Sequence, residues 1–227
     1  MPLNVMQQNL PLRIACLHTA HSNVAVFDDA ALQLGLPAGA LLHAVHPDLL
    51  ASAEAAGGLT PPIAAATQHV LQELALGADV VLLTCSTLGP VVDAMPLHTA
   101  VPVLRVDAAL AQAAAQVGGH VVVLCTAATM LQPTTELFVH AAASHPETAV
   151  EVRWVEGAWD LFKAGHMAAY GVCVARAADA AYAQGARQVV LAQASMGGAA
   201  QLVTAGPRPL SSASAGLAAA VKICQLR

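Results

Sequence analysis

Short uncharged runs of Val, Leu and Ile recur along the chain, separated by Ala-rich stretches whose apolar positions return every three or four residues. Apolar runs without polar alternation predict strands buried on both faces, and the Ala-rich stretches predict the helices that cover them. The pattern places strands at Arg13–Leu17, Val80–Leu83, Val101–Val106, Val121–Leu124, Val150–Val155 and Val189–Leu191. It places helices at Ile63–Leu76, Ala108–Val117, Thr134–Ser144, His166–Gln184 and Ala215–Leu226. Strand and helix alternate, which is the signature of βα units feeding parallel sheets.

The same pattern repeats within the chain. Gly77-Ala78-Asp79-Val80-Val81-Leu82-Leu83-Thr84-Cys85-Ser86-Thr87 aligns without a gap on Gly185-Ala186-Arg187-Gln188-Val189-Val190-Leu191-Ala192-Gln193-Ala194-Ser195, so Cys85 pairs with Gln193. Nearly the same offset pairs Ile14–Thr19 with Val121–Thr126 and Pro102 with Pro209. Three blocks in one order at one spacing predict an internal duplication. In open parallel sheets ligands bind beyond the carboxyl ends of the strands, and Thr19, Cys85, Thr126 and Gln193 each directly follow a predicted strand. Two such halves enclose one cleft, with Cys85 on one side and Gln193 on the other.

Composition narrows the choice of partner. The 227 residues are 57% hydrophobic, enough for a large core. Mean hydropathy is +0.62, yet Gly118-Gly119-His120, Gln193 and Gly197-Gly198 interrupt the apolar stretches before any reaches membrane-spanning length. The net charge of −5 and nine scattered Lys and Arg residues give no footprint for nucleic acid or an anionic membrane. Aromatic residues at 3% leave no stacking platform for a nucleobase or flavin. The first dozen residues lack the basic and apolar regions of an export signal, and the cysteines at 16, 85, 125, 173 and 224 are odd in number without CxxC spacing. Reduced thiols, a cytoplasmic location and a small-molecule partner are therefore expected. The ten histidines contain no HExxH pattern, and His18 with His21 has no partner at ligand spacing, so no metal is expected. Without a Gly-rich phosphate loop or a GxSxG elbow, kinase and hydrolase chemistry fall away.

The strand ends supply the candidate chemistry. Thr84-Cys85-Ser86-Thr87 joins a thiol to three hydroxyls at a turn, where backbone N–H groups are expected to lower the thiol pKa and make Cys85 a base or nucleophile. Gln193 takes no proton from carbon at neutral pH, but its amide donates to a carboxylate or an enolate oxygen. Thr19, Asn23, Ser86, Thr87, Thr126, Thr129 and Ser195 provide neutral donors suited to the carboxylates of a small acid. His18 near Cys85, and with less support His166 on the other side, stand as candidate second bases.

The ordered blocks resemble the aspartate/glutamate/hydantoin racemase superfamily, which includes maleate isomerase and arylmalonate decarboxylase. The resemblance rests on the His18-Thr19 loop, Thr84-Cys85-Ser86-Thr87, Val101–Asp107, Leu124–Thr129 and Leu191–Met196, and covers nearly the whole chain. It implies two pseudo-symmetric, flavodoxin-like α/β lobes: residues 1–106 with 208–227 carrying Cys85, and residues 107–207 carrying Gln193, the C-terminal helix returning to the first lobe. It also implies catalysis without pyridoxal phosphate or other cofactor, by one cysteine from each lobe acting on opposite faces of the substrate, in a homo-oligomer. Cys85 matches the first cysteine, whereas Gln193 stands where the second would be, which departs from two-base racemisation. Three readings follow: an isomerase of the racemase type acting on a small carboxylic or amino acid, a decarboxylase of the arylmalonate type with single-thiol protonation, or a cleft that only binds a small acid. Slow alkylation of Cys85 at neutral pH is the sign expected of the third.

Overall fold

The computed structural model describes residues 12–96 and 100–226, Thr129 through its backbone alone; the expected lack of an export signal concerns residues lying largely outside this range. Two four-stranded, all-parallel sheets form the two lobes. The first holds β1 (Ile14–His18), β2 (Leu41–Val45), β3 (Val80–Leu83) and β4 (Val103–Arg105) in the order β2-β1-β3-β4. The second holds β5 (Gly119–Cys125), β6 (Thr148–Trp154), β7 (Gln188–Leu191) and β8 (Leu210–Ser211) in the order β6-β5-β7-β8. The register repeats as well, since Ile14 faces Val80 and its repeat mate Val121 faces Gln188.

Helices α1 (Ser22–Gln33), α2 (Pro47–Ala55), α3 (Pro61–Ala75) and the single turn α4 (Pro90–Asp93) belong to the first half. Next come α5 (Val106–Ala115), α6 (Leu131–Ala142), α7 (Ala158–Lys163), α8 (Met167–Ala183) and α9 (Ser212–Gln225). β1 and β3 alternate between two cores. Ile14, Cys16, Val80 and Leu82 pack against Phe27 of α1 and Ala213, Leu217 and Ala220 of α9, whereas Ala15, Leu17, Val81 and Leu83 pack against Leu49, Ala53 and Leu71 of α2 and α3. In the second lobe, Val121, Val123 and Val190 meet Leu110 and Ala111 of α5 and Phe138 of α6, while Val122, Leu124, Val189 and Leu191 meet Tyr170, Val174 and Ala178 of α8.

This arrangement crosses the halves over. α5 leaves the first sheet and packs on the second, and α9 leaves the second and packs on the first. The exchanged helices touch where a side chain on Gly216 would fall 2.5 Å from Val106 Cγ1 and 2.9 Å from its Cβ. A second close approach joins α1 to the 3₁₀ segment Ala194–Gln201, where a Cβ on Gly197 would lie 2.6 Å from Val26 Cγ1. β8 pairs with β7 through Leu210 and Ser211, and α9 begins at Ser212. β2, β8, α1, α2, α4 and α7 were not predicted. Both strands lie at sheet edges; β8 has only two residues, and the apolar run of β2 is broken by His43.

Candidate functional site

β3 and β7 deliver Cys85 and Gln193 to equivalent places. Each residue has extended backbone and opens a 3₁₀ turn, Ser86–Leu88 after Cys85 and Ala194–Gln201 after Gln193. Both side chains line one cavity of about 700 Å³ between the lobes, and Thr19, Asn23, Ser86, Thr87 and Ser195 line it with them. Thr126 lies behind Gln193 and is not part of the wall. The Thr129 backbone belongs to the 3₁₀ turn Ala128–Met130 on the same rim, and its side chain lies outside what the structure describes.

Each half fixes its strand-end group with the threonine that ends the neighbouring strand. Thr126 donates its backbone N–H and its hydroxyl to Gln193 Oε1, both at 2.7 Å. A backbone N–H only donates, so the amide oxygen must face Thr126 and Nε2 remains to donate elsewhere. In the first half the hydroxyl of Thr19, the repeat mate of Thr126, bonds to Cys85. The turn formed by Thr87 and Leu88 adds to this pull on the sulfur, although the Leu88 N–H bonds to the Cys85 carbonyl at 3.2 Å and the Thr87 hydroxyl to Met130 Sδ. These groups lower the thiol pKa, as expected from the turn, but burial raises it by more, and the outcome is a pKa above the ordinary value. The expectation of a depressed Cys85 pKa is thus corrected: the loop holds a resting thiol.

Other contacts brace the wall. Ser195 Oγ lies 3.0 Å from the hydroxyl of buried Tyr170, and Trp154 Nε1 donates to the Thr126 carbonyl at 2.9 Å. The Thr87 hydroxyl reaches Met130 Sδ across the cleft at 3.5 Å. Asn23 is buried at the start of α1, and among the described residues its Oδ1 has no hydrogen-bond partner. It is an acceptor awaiting a donor.

Neither candidate second base reaches the cavity. His18 is fully buried, bonds to Thr84 Oγ1 through Nδ1, and is pushed down to about 4, first by burial and then by His43, against the opposing pull of Asp28. His166 is exposed at the start of α8. Arg105 also contributes to the wall, but Asp107 takes its guanidinium in two bonds of 2.7 Å and Asp93 takes the third nitrogen, so its charge is spent within the protein. The polar groups that this leaves on the wall are neutral donors and Lys163, whose partner Asp160 is exposed.

The sequence did not reveal the apolar side of the cavity. Leu50, Leu59, Met130, Leu137, Phe138, Trp159 and Phe162 line it, with the Trp159 and Phe162 rings stacked at a centroid distance of 4.9 Å. The available signal was Trp159-Asp160-Leu161-Phe162, two aromatics three apart in a chain with few, immediately after a predicted strand.

Comparisons with known proteins agree with this geometry. A family model described as Asp/Glu/Hydantoin racemase matches residues 19–220. No curated protein matches the chain. Among solved structures, an aspartate racemase from Picrophilus torridus superposes with a TM-score of 0.69 at 10% identity, covering 95% of each chain. An aspartate racemase homologue from Pyrococcus horikoshii gives 0.63 at 14% identity, over 94% of this chain and 99% of that one. An allantoin racemase from Pseudomonas fluorescens gives 0.59 at 16% identity, over 95% and 92%.

Proposed function

The chain belongs to the Asp/Glu/hydantoin racemase family, and on that footing we propose that it is a cofactor-independent isomerase of the racemase type acting on a small carboxylic or amino acid, with Cys85 as its one proton-transferring or nucleophilic side chain. The observation that carries this reading is the convergence of Cys85 and Gln193 on one cavity, each held by an equivalent threonine. Nε2 of Gln193 and the hydroxyls of Ser86, Thr87 and Ser195 supply neutral donors for a carboxylate, and Asn23 Oδ1 suits an amino or hydroxyl hydrogen of the same ligand. The resting thiol of Cys85 must first give its proton to water; the thiolate then takes the α-hydrogen as a proton, the C–H electron pair moves into the carboxylate, and the Gln193 amide donates to the oxygen that gains charge. The Gln193 amide is far too weak an acid to return a proton to carbon from the other face. Any inversion must therefore run through the single sulfur or through its addition to and loss from a double bond.

The raised pKa of Cys85 favours a second reading, decarboxylation. There the bond to the departing carbon dioxide breaks, its electron pair stays as an enediolate, and the resting thiol donates its proton to carbon before regaining one from water. One experiment separates these outcomes. Candidate acids are incubated in deuterated water, and carbon dioxide, deuterium content and optical rotation are followed. Exchange and loss of optical activity without gas mark the isomerase; gas with one deuterium in a single enantiomer marks the lyase. Cys85→Ser is expected to lower kcat/KM by about 10³-fold in either case. Turnover unchanged in that variant would overturn the role given to Cys85, whereas binding of candidate acids with no turnover in the parent chain would leave a cleft that only binds a small acid.

A further inference from the structure

Behind the first-lobe wall, on the face of the sheet covered by α1, lies a second cluster that the reaction does not use. Cys16 and His18 point the same way from β1, His43 stands beside Cys16 on β2, and Asp28 of α1 closes the edge. Among the described residues, Cys16, His18 and His43 are a group whose ligand atoms all lie within 4.8 Å of one another.

The hydrogen bonds around the two rings set their tautomers. Thr84 Oγ1 lies 2.9 Å from the Leu17 carbonyl and 2.9 Å from His18 Nδ1. Both contacts are hydrogen bonds only when the hydroxyl donates to the carbonyl and Nδ1–H donates to the hydroxyl. His43 Nε2 lies 3.1 Å from Asp28 Oδ1, an acceptor, so its hydrogen is on Nε2. The inner nitrogens, His18 Nε2 and His43 Nδ1, then face each other at 2.9 Å with two lone pairs. That contact repels unless a cation lies between them.

A proton would serve, but the surroundings have the form of a metal site. Ligating histidines donate their other ring N–H to an oxygen that fixes their orientation, and both rings do so here. Cys16 supplies a thiolate on binding, its proton leaving to solvent, and with the Asp28 carboxylate it balances a charge of +2. Thiolate and imidazole together select a borderline-soft ion over Mg²⁺ or Ca²⁺. With Zn–N of about 2.0–2.1 Å, tetrahedral geometry sets two ligand nitrogens about 3.3 Å apart. The rings need to spread only slightly and the sulfur to swing inward. The His43 side chain keeps 16% of its surface exposed, and Asp28 beside it is open to solvent, which gives an ion its way in.

We propose that Cys16, His18 and His43 bind one divalent transition ion of the Zn²⁺ class beneath α1, with Thr84 and Asp28 orienting the two rings. The ion would tie β1, β2 and α1 together directly behind Thr19 and Thr84, stiffening the support of the Cys85 loop without touching substrate.

The test uses the full chain, stripped with a chelator and titrated with Co²⁺. One equivalent is expected to bind, with the near-ultraviolet sulfur-to-cobalt charge-transfer band of a thiolate ligand and the visible bands of an ion whose three protein ligands are completed to four by a water, and Zn²⁺ is expected to displace it. Cys16→Ser should abolish the charge-transfer band. If Cys16→Ser does not fold, two less buried positions decide: His43→Gln should remove saturable binding, and Asp28→Ala should weaken it about 10- to 100-fold. The absence of a saturable equivalent, a spectrum without the thiolate band, or binding unchanged in His43→Gln and Asp28→Ala would overturn the proposal and leave a shared proton between the rings.

Discussion

At the scale of single residues, the decisive contest is at Cys85, between burial, which disfavours a thiolate, and the polar groups of Thr19 and the following turn, which favour it; burial wins. Alkylation of Cys85 by iodoacetamide at pH 7.5 is therefore expected to lag behind that of the half-buried Cys173 and to accelerate only as pH climbs beyond 9, as peptide mapping would show. Faster labelling of Cys85 at neutral pH would contradict this balance. Slow alkylation thus loses the meaning the sequence attached to it, since a catalytic thiol behind this barrier reacts slowly too. Buried thiols also link stability to alkali. Cys125 is pushed up to about 11 by burial, so the unfolded chain gives up that proton first. Its contribution to stability is complete below about pH 9 and is lost as pH rises towards 11, and Cys125→Ala should flatten the fall in Tm across that interval.

At the scale of elements, strands with long apolar runs and helices with strong periodicity were legible, and elements made by context were not. β2 reads Leu-Leu-His-Ala-Val at a sheet edge, and its imidazole breaks the apolar run. Missing it hid His43, so His18 looked isolated although the strand pairing sets His43 beside Cys16. Ligands drawn from separate strands leave no spacing to recognise. α7 is one and a half turns held by its packing against α8, and overlooking it concealed the aromatic wall. The crossing of α5 and α9 was half legible: the family resemblance implied the return of α9, but not the contact at Gly216. Alanine there gains about 1 kcal/mol of helix propensity. Against that, its Cβ meets Val106 Cγ1, Cβ and Cα at 2.5, 2.9 and 3.4 Å, and no rotamer change moves the last two away. Overpacking costs about 1–3 kcal/mol. Gly216→Ala is thus expected to destabilise by about 1 kcal/mol in urea denaturation, and a gain in stability would show that the helices can part cheaply.

At the scale of the molecule, the duplication visible in the sequence became two sheets of the same order, and the symmetry extends to the threonine behind each strand-end group. What breaks it at the paired strand ends is their chemistry: sulfur on one side, an amide on the other. Because Thr126 already aims a hydroxyl and an N–H at position 193, a sulfur placed there inherits donors like those around Cys85. Cysteine is smaller than glutamine and extends into the cavity, so the backbone need not move. Gln193→Cys is accordingly expected to fold, and to return a proton to the face of the substrate opposite Cys85. With an acid on which the parent chain shows one-sided deuterium incorporation, the variant should yield both enantiomers labelled at the α-carbon, and Cys85→Ser added to it should reverse the side of labelling. A product that stays single and unchanged in hand would mean that position 193 does not face the substrate carbon, and that the two lobes, though alike in fold, present their strand ends to different parts of the ligand.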